Sequence, residues 1–308
     1  MGYAMASNLR RKMPSSAALY VYDVYRPSCE RFASEHWKLG TIVIADSAKH
    51  AAANSRFIIS IVPTAENVRQ IYLDPNSGLV AAPADSNRII IECSTISSES
   101  TREVGEALQA SGHGYYIDAP LSGGVPAAEA GTLSFMIGSV APTDNEPSGS
   151  IPSRIKNVLT MLGEPKKLFW CNKLGCGLAA KISNNYISCT SLLVIAEAMA
   201  IGIRNGIEPK LLYEVIRNSS GQSFMCDHVN PAPGTVAHAP SSNNWKLGFK
   251  TQMMPKDIGL GVDAAKKVGI TPTMADAAIE VWKKAAQDPR CIDRDGSSVW
   301  LYLNDIKE

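Results

Sequence analysis

The stretch from Arg88 to Gly124, RIIIECSTISSESTREVGEALQASGHGYYIDAPLSGG, decides the fold class. It contains two short runs rich in isoleucine and tyrosine, RIIIECST and GYYIDAP, separated by a segment with the periodicity of a helix. A strand, a helix-length connection and a second strand form a crossover unit with parallel strands. The stretch therefore predicts part of a mostly parallel α/β sheet.

The same alternation extends to both sides of this unit, from residue 19 to about residue 170. Upstream, the predicted strands are ALYVYDVY and RFIISIVP, and the predicted helices are RPSCERFASEHWKL and ENVRQIYL. Downstream, LSFMIG and KLFWC are predicted strands, and SVAPTDNEPSGSIPS between them is a predicted surface loop, since Pro, Ser and Gly interrupt regular structure. We predict a doubly wound α/β domain over residues 1–172.

The second part of the chain has a different character. LGCGLAAKISNNYISCTSLLVIAEAMAIGIRNG has apolar positions on most faces of one long helix, and such a helix is buried, often between subunits. Helical patterns bounded by Gly and Pro follow in PKLLYEVIRNSSGQ, MPKDIGLGVDAAKKVG and PTMADAAIEVWKKAAQD. We predict an all-helical domain over residues 173–308, with the long helix connecting the two domains.

Composition limits the classes of function. The chain has 308 residues, a net charge of +1 and seven cysteines. So small a charge argues against nucleic acid or an anionic membrane as the main partner, and a small molecule is the expected ligand. An odd number of scattered cysteines indicates a reducing compartment, and neither they nor the five histidines have the spacing of a metal site. No continuous run of about 18 apolar residues is present, so we expect no membrane-spanning helix.

Two features near the N-terminus are typical of a dinucleotide site. Gly2 opens a helical pattern, in the position of the last glycine of the Gly-rich turn that precedes such a helix. Asp23 ends the strand LYVYDVY roughly twenty residues later, where a carboxylate accepts hydrogen bonds from the adenosine ribose. This carboxylate favours NAD over NADP, although Arg26 would weaken the preference. An aspartate at a strand end is also a common turn former.

Two further segments carry candidate chemistry. Ser122, Gly123 and Gly124 follow a predicted strand, and their N–H and hydroxyl groups could bind a carboxylate, with an ordinary tight turn as the alternative. Lys181 and Asn185 share one face of the apolar helix. Partial burial of such a lysine lowers its pKa and lets it exchange a proton with a substrate hydroxyl that Asn185 orients. The alternative is a lysine that extends along the helix to reach water.

Together these segments resemble the β-hydroxyacid dehydrogenase family. The resemblance covers almost the whole chain in the family's order, through MGYAMASNL, IVPTAEN, ECSTI, DAPLSGGVPAAEAGTLSFMIG, GCGLAAKISNN, AEAMAIGIRNGI, MMPKDIGLG and SSVWLYL. NPAPG and PSSNNWKLGF are similar to the branch that oxidises 3-hydroxyisobutyrate. The resemblance implies a Rossmann-like first domain, an NAD cofactor and hydride transfer that converts 3-hydroxyisobutyrate to methylmalonate semialdehyde in valine catabolism.

The resemblance also implies roles for individual residues. Lys181 is the expected acid/base, and Ser122, Gly123, Gly124 and Asn185 are expected to hold the substrate. With Gly2, the expected cofactor contacts are Asp23, Val62, Pro63, Asn67, Thr95 and Lys256. A homodimer or homotetramer is implied, and so is a mitochondrial location in a eukaryote or a cytoplasmic one otherwise.

The sequence departs from the family before Gly2, because the opening strand and the first two glycines of the GxGxxG turn are absent. We therefore expect Met1 to be an internal methionine or the result of a truncation. Loss of a central strand would leave two buried sheet edges unpaired, so we expect weak NAD binding and aggregation unless the sheet rearranges. The alternatives are a sibling reductase for tartronate or succinic semialdehyde and a non-catalytic paralogue that keeps the fold.

Overall fold

The computed structural model describes residues 1–246 and 248–305. It divides into two compact units, Met1–Lys181 and Ile182–Glu308, each with its own hydrophobic core. The division falls inside a long helix, whereas the predicted domain boundary at 172/173 lies in the loop before that helix. Leu247, within the motif PSSNNWKLGF, and residues 306–308 of the predicted second domain lie outside the described residues.

The first unit alternates strands with helices, as predicted. Its strands are β1 (Leu19–Val21), β2 (Ile42–Ile44), β3 (Phe57–Ser60), β4 (Ile89–Glu92), β5 (Tyr115–Asp118), β6 (Leu121–Ser122), β7 (Leu133–Ile137) and β8 (Gly163–Trp170). Its helices are α1 (Gly2–Lys12), α2 (Arg26–His36), α3 (Ala48–Ala53), α4 (Ala65–Leu73), α5 (Ser98–Ala110), α6 (Gly124–Ala130) and α7 (Ile151–Leu159). Hydroxyl groups of Ser47, Thr64, Ser97 and Ser150 accept a backbone hydrogen bond at the starts of α3, α4, α5 and α7.

The strands of the first unit form three sheets. β1 pairs with β2, and β3, β4 and β5 pair in that order, with all of these strands parallel. In the third sheet β7 lies between β6, which is antiparallel to it, and β8, which is parallel to it. Within residues 1–246 and 248–305 no strand joins β1 to β3. Each of these two strands therefore has one edge without a strand partner.

Helix α1 links the two parallel sheets through its packing. Ala4 and Met5 are buried in one cluster with Ile89, which belongs to β4. On another face of the helix, the Tyr3 ring packs edge-on against Phe32 of α2, with 5.3 Å between ring centroids. Burial of a side chain of the size of Met5 stabilises the fold by about 1.5–3 kcal/mol. The start of α1 is therefore held in place by contacts with both layers.

The second unit is helical, as predicted. It contains most of α8 (Cys176–Arg204), followed by α9 (Pro209–Arg217), α10 (Phe224–His228), α11 (Met254–Lys267), α12 (Thr273–Ala285) and α13 (Val299–Leu303). Trp282 lies at its centre with no exposed surface, packed in one cluster with Met199 and Trp300. The indole N–H of Trp282 donates to the carbonyl of Cys189 over 3.2 Å, which satisfies the polar group of this buried side chain.

Three details of the first unit differ from the sequence predictions. The sequence pattern does not predict β2 and α3, because TIVIADSAKHAAAN offers one short apolar run followed by alanines. Strand β1 ends at Val21 because Asp23 Oδ1 accepts the N–H of Tyr25, which turns the chain away from the ladder, so Asp23 lies in the loop. The predicted surface loop ends at Ser150, which caps α7.

Helix α8 is long and apolar enough, by length and composition alone, to cross a membrane. Length and composition alone are weak evidence for a membrane span, so the expectation of no membrane-spanning helix stays a prediction. Core helices of soluble proteins pass the same test. Leu192, Leu193, Ala196 and Met199 of α8 are buried in the core of the second unit, and this burial accounts for part of its apolar character.

Candidate active site

The loops that follow β3 and β4 contain several of the predicted cofactor residues. The N–H of Val62 donates to Ser94 Oγ over 2.7 Å, and this bond joins the loop of Val62 and Pro63 to the loop of Thr95. Gly2 lies beside the same loop, since a Cβ there would be 3.3 Å from Ile61 Cγ2. The structure therefore brings these predicted residues to one edge of the sheet, where ligands bind in open α/β folds.

A buried carboxylate fixes this edge. Glu92 ends β4 with no exposed surface, and its Oε1 accepts the N–H of Ser94 over 2.6 Å. Its Oε2 accepts a hydrogen bond from the hydroxyl of Ser60, which also contacts the hydroxyl of Tyr72. Burial raises the pKa of Glu92, and the hydrogen bonds from Ser60 and Ser94 oppose that rise. Glu92 holds the loop that contacts Val62, a role the sequence analysis missed.

Asn67 occupies the first turn of α4. Its N–H donates to Thr64 Oγ1 over 3.2 Å, and the Thr64 hydroxyl donates to Asn67 Oδ1 over 2.8 Å. This mutual pairing orients the carboxamide at the start of the helix. Asn67 is therefore held near Val62 and Pro63 by the cap that begins α4.

Asp23 lies in the loop after β1, and β1 belongs to a different sheet from β3 and β4, which precede the loops of Val62 and Thr95. Its carboxylate forms the turn that the sequence allowed as an alternative, because Oδ1 accepts the N–H of Tyr25 over 2.8 Å. Arg26 pairs with two other carboxylates, with Nη1 at 2.9 Å from Asp46 Oδ1 and Nε at 3.3 Å from Glu30 Oε1. The hydrogen bond that Arg26 donates to Asp46 raises the pKa of Arg26. Arg26, the cation that would weaken a preference for NAD over NADP, is thus paired with two carboxylates.

Ser122, Gly123 and Gly124 form the turn between β6 and α6. Gly123 has φ of 127° and Gly124 has φ of 66°, both in the region that favours glycine. A Cβ on Gly123 would lie 2.5 Å from Ala127 Cβ, so a side chain does not fit there. The turn presents a hydroxyl and backbone groups without covering side chains, which is what close approach of an anion requires.

Lys181 and Asn185 are both buried on α8, with exposures of 8% and 7%. Their spacing of one helical turn places them on the same face. An exposure of 8% does not fit a lysine that reaches into water, so the burial that the functional interpretation requires is present. Gly177, four residues before Lys181, lets the helix pack directly on β7, since a Cβ there would lie 2.2 Å from the carbonyl oxygen of Met136.

The beginning of α8 is held by Asp118, which the sequence analysis also missed. Asp118 ends β5 with no exposed surface. Its Oδ1 accepts the N–H of Gly175 and its Oδ2 accepts the N–H of Leu178, each over 2.7 Å. Burial raises the pKa of Asp118, and these two backbone bonds oppose that rise. The residue stands in the quoted motif DAPLSGG, but nothing in the motif shows which groups its carboxylate binds.

The second unit brings Asn185 and Lys256 together through Asp257. The carboxamide of Asn185 donates from Nδ2 to Asp257 Oδ2 over 2.8 Å, and Lys256 Nζ lies 3.3 Å from Asp257 Oδ1. Asp257 is buried, and its bond to Asn185 fixes which way the carboxamide points. Pro255 lies in the first turn of α11, as predicted for the residue before Lys256. The sequence signal for Asp257 was its place beside Lys256 in MMPKDIGLG.

The edge after β3 and β4 fits a dinucleotide. It combines glycine at the start of α1, backbone groups of the Val62 loop held by Ser94, and polar side chains after both strands. Helix starts and strand ends of this kind bind phosphate and ribose groups in doubly wound folds.

Two family models match the chain. Residues 1–168 match the NAD binding domain of 6-phosphogluconate dehydrogenase, and residues 175–302 match a model described as NAD-binding of NADP-dependent 3-hydroxyisobutyrate dehydrogenase. Together these models span both units.

Similar proteins cover almost the whole chain. The mitochondrial 3-hydroxyisobutyrate dehydrogenase of Mus musculus is 33% identical, over 99% of this chain and 84% of its own length. A 3-hydroxyisobutyrate dehydrogenase of Pseudomonas aeruginosa is 35% identical, over 93% of this chain and 89% of its own. The solved 3-hydroxyisobutyrate dehydrogenase of Mycobacterium tuberculosis with L-serine has a TM-score of 0.82 at 32% identity and covers 98% of this chain and 95% of its own. The chain belongs to the β-hydroxyacid dehydrogenase family, close to its 3-hydroxyisobutyrate dehydrogenases, and is an NAD-dependent dehydrogenase of hydroxyacids.

Proposed function

We propose that the chain oxidises 3-hydroxyisobutyrate to methylmalonate semialdehyde, with Lys181 as the base. The burial of Lys181 on the same helix face as Asn185 is the observation that carries this proposal. Charge on a buried amine is costly, so a lysine in such a position is suited to accepting and returning a proton. With this substrate the reaction belongs to valine degradation. The compartment would be mitochondrial in a eukaryotic cell and cytoplasmic otherwise.

Each polar residue has a defined task in this proposal. The Ser122 hydroxyl and the turn at Gly123 and Gly124 bind the substrate carboxylate. Neutral Lys181 accepts the proton of the substrate hydroxyl as the C–H bond breaks and the carbonyl forms, and Asn185 orients that hydroxyl. Bound NAD⁺ supplies the acceptor for the hydride. Because the carboxylate is anchored, the hydroxyl is held relative to Lys181, which lowers the entropic part of the barrier.

The proposed cofactor contacts are the residues that the family resemblance implies. They are Gly2, Asp23, Val62, Pro63, Asn67, Thr95 and Lys256. The hydrogen bond from Val62 to Ser94 and the position of Gly2 beside Ile61 support a common binding edge for part of this set.

L-serine is a second candidate substrate. An NAD-dependent L-serine dehydrogenase of Pseudomonas aeruginosa is 32% identical over 92% of this chain, and the similar enzyme of Mycobacterium tuberculosis was solved with L-serine. L-serine and 3-hydroxyisobutyrate share a carboxylate and a hydroxymethyl group, and they differ by an ammonium group in place of a methyl group. The Ser122–Gly124 turn, which anchors the carboxylate, and Lys181 would serve both substrates.

NADH formation by the purified chain tests the proposal. The panel contains 3-hydroxyisobutyrate, L-serine, glycerate and 4-hydroxybutyrate, the last two being the alcohols of tartronate and succinic semialdehyde. We expect the highest kcat/KM with 3-hydroxyisobutyrate, by about tenfold or more over the alcohols that lack its methyl group, since a methylene in a pocket is worth about 1–3 kcal/mol. A higher kcat/KM with any other member assigns the chain to that substrate instead.

Replacement of Asp23 by asparagine is expected to lower the preference for NAD⁺ over NADP⁺ by about tenfold, or about 1.4 kcal/mol. The carboxylate repels the 2′-phosphate of NADP⁺, and Arg26 is paired with Asp46 and so does not offset it. The ratio of kcat/KM for the two cofactors measures the change. Asp85→Asn is the matched control, because Asp85 Oδ1 also accepts the N–H two residues on. An unchanged ratio in Asp23→Asn would remove Asp23 from the cofactor site.

We also propose that α8 forms the interface of a homodimer. Ile187, Val194 and Ile201 recur at a seven-residue spacing on α8 with exposures of 66%, 48% and 64%. Leu211 and Val215 on α9 are exposed as well. A row of exposed apolar side chains on one helix is typical of a site of association, and a second copy offers the same apolar stripe in return.

Replacement of Val194 by lysine is expected to convert the dimer to a monomer, because it places a charge at the middle of the apolar stripe. Sedimentation velocity measures the change. Val140→Lys is the matched control, since Val140 has a similar exposure of 52% and lies outside the second unit. A Val194→Lys chain that sediments as a dimer, or a wild-type chain that is monomeric, would contradict this interface.

A further inference from the structure

Asp118 connects two parts of the proposed active site through one carboxylate. It is the last residue of β5 and stands four residues before Ser122 in the same segment. Its two oxygens accept the N–H groups of Gly175 and Leu178 at the start of α8, over 2.7 Å each. Lys181 follows Leu178 by three residues, which is close to one helical turn. The carboxylate of Asp118 is therefore linked to the Ser122–Gly124 turn by four residues of chain, and to Lys181 by hydrogen bonds to the preceding turn of α8.

The surroundings leave this carboxylate little freedom. A Cβ on Gly138 would lie 1.9 Å from Asp118 Oδ1, and a Cβ on Gly177 would lie 2.9 Å from Asp118 Oδ2. Gly175 has φ of 86°, the left-handed conformation that turns the chain into α8. Glycine at these positions makes room for the side chain of Asp118. The close fit indicates that the carboxylate has one position.

Two hydrogen bonds to one turn fix a helix better than one. The first N–H groups of a helix have no partner within the helix, and a carboxylate is a favourable acceptor for them. Because Asp118 binds two N–H groups three residues apart, it opposes both rotation of α8 about its axis and sliding along it. A side chain one turn later is displaced by any such movement. The orientation of Lys181 therefore depends on the bonds that Asp118 makes.

We propose that Asp118 is a positioning residue that sets Lys181 relative to the Ser122–Gly124 turn. This inference rests on the proposed function, which gives Lys181 its role as base. Asp118 itself touches neither the substrate nor the cofactor in this account. It acts through the first turn of α8, and its loss changes the rate of the chemical step rather than the binding of NAD⁺.

Asp118→Asn is the primary variant. Asparagine has the same size but one acceptor oxygen, so one of the two backbone N–H groups faces an NH₂ group instead of an acceptor. A misplacement of about 1 Å at a reacting group costs on the order of 100-fold in rate. We therefore expect kcat to fall by about 100-fold, while the Kd for NAD⁺, measured by fluorescence titration without turnover, changes little.

Glu92→Gln is the matched control. Glu92 is the register partner of Asp118 on the neighbouring strand β4 and is equally buried, but its carboxylate holds Ser94 and the Val62 loop instead of α8. We expect this variant to weaken NAD⁺ binding, whereas Asp118→Asn leaves NAD⁺ binding nearly unchanged. The opposite patterns of the two variants distinguish positioning of Lys181 from a general loss of core structure.

Gly138→Ala provides a second route to the same effect. Its Cβ displaces the carboxylate while Asp118 remains present. If both single variants act by removing the same anchor, the double variant Asp118→Asn with Gly138→Ala loses no more activity than the worse single variant. A double variant whose fold-loss of activity equals the product of the two single losses would overturn the inference. Where Asp118→Asn does not fold, Gly138→Ala alone is compared with Glu92→Gln.

Hydrogen exchange of the segment 174–182, followed by mass spectrometry, measures how firmly Asp118 holds the start of α8. It does not depend on an activity assay. We expect faster exchange in Asp118→Asn and unchanged exchange in Glu92→Gln. Faster exchange with unchanged kcat overturns the positioning role but leaves the proposed function intact. A parallel fall in kcat and NAD⁺ affinity in both variants also overturns it. Equal activity of wild type and Lys181→Ala refutes the proposed function, and with it the role of Asp118.

Discussion

Replacement of Lys181 by alanine is expected to lower kcat for 3-hydroxyisobutyrate by about 10²–10⁴-fold, the range typical of the loss of a general base. The side chain is buried on the α8 face that also carries Asn185, so water does not readily take its place. The Kd for NAD⁺ is expected to change little, because Lys181 is not among the proposed cofactor contacts. Stopped-flow measurement of NADH formation, with a separate fluorescence titration of NAD⁺, checks both parts.

Two further variants separate proton transfer from charge and packing. Lys181→Arg keeps a cation of similar length that does not deprotonate, so it is expected to be as inactive as Lys181→Ala. Lys173→Ala removes an exposed lysine from the loop before α8 and is expected to retain activity. Small primary amines added to Lys181→Ala are expected to restore part of the rate. Full activity in Lys181→Arg would show that Lys181 supplies charge and does not accept a proton.

The long helix and its lysine could be predicted because their signals are local. Thirty-odd residues of apolar helical pattern, with Lys181 and Asn185 at one-turn spacing, predicted both α8 and a polar pair on one face. The structure has the helix and buries Lys181 and Asn185, but it leaves Ile187, Val194 and Ile201 of the same helix exposed. Local signals also predicted the Ser122–Gly124 turn, since glycine is the residue that adopts its positive φ angles.

The buried carboxylates could not be predicted in the same way. Glu92, Asp118 and Asp257 stand in or beside the motifs that the sequence analysis used, yet each owes its role to a partner fixed only by the fold. Asp118 binds N–H groups 57 and 60 residues later, and Asp257 binds Asn185 from 72 residues away. A sequence shows the charge of such residues but not the donors that make their burial tolerable.

The edges of β1 and β3 that have no strand partner predict that an added strand stabilises the protein. An added N-terminal segment that supplies an apolar strand of about five residues and a Gly-x-Gly turn before Gly2 is expected to pair with β1, because a strand–helix–strand connection in one sheet places its strands parallel and close. Its other edge is available to β3. We expect the free energy of unfolding to rise by about 3 kcal/mol, since the new strand adds several backbone hydrogen bonds that contribute about 0.5–1.5 kcal/mol each.

The same extension is expected to strengthen NAD⁺ binding by about tenfold or more, which corresponds to about 1.4 kcal/mol. The added glycines bring backbone N–H groups to the start of α1, where the pyrophosphate binds in this fold. Urea denaturation and fluorescence titration of NAD⁺ measure the two effects. Hydrogen exchange at Leu19–Val21 and Phe57–Ser60 is expected to slow, because these strands form the edges that the new strand covers.

An extension of the same length with prolines at alternate strand positions is the matched control, since proline lacks the N–H that a ladder requires. It adds the same number of residues and the same glycine turn, so any gain it shares with the apolar strand comes from the turn or from length. If the two extensions are equally stable and leave exchange in β1 and β3 unchanged, the open edges are satisfied by solvent and the strand argument fails. If only the apolar strand stabilises the chain while both improve NAD⁺ binding, sheet completion and pyrophosphate binding are separate effects of one segment.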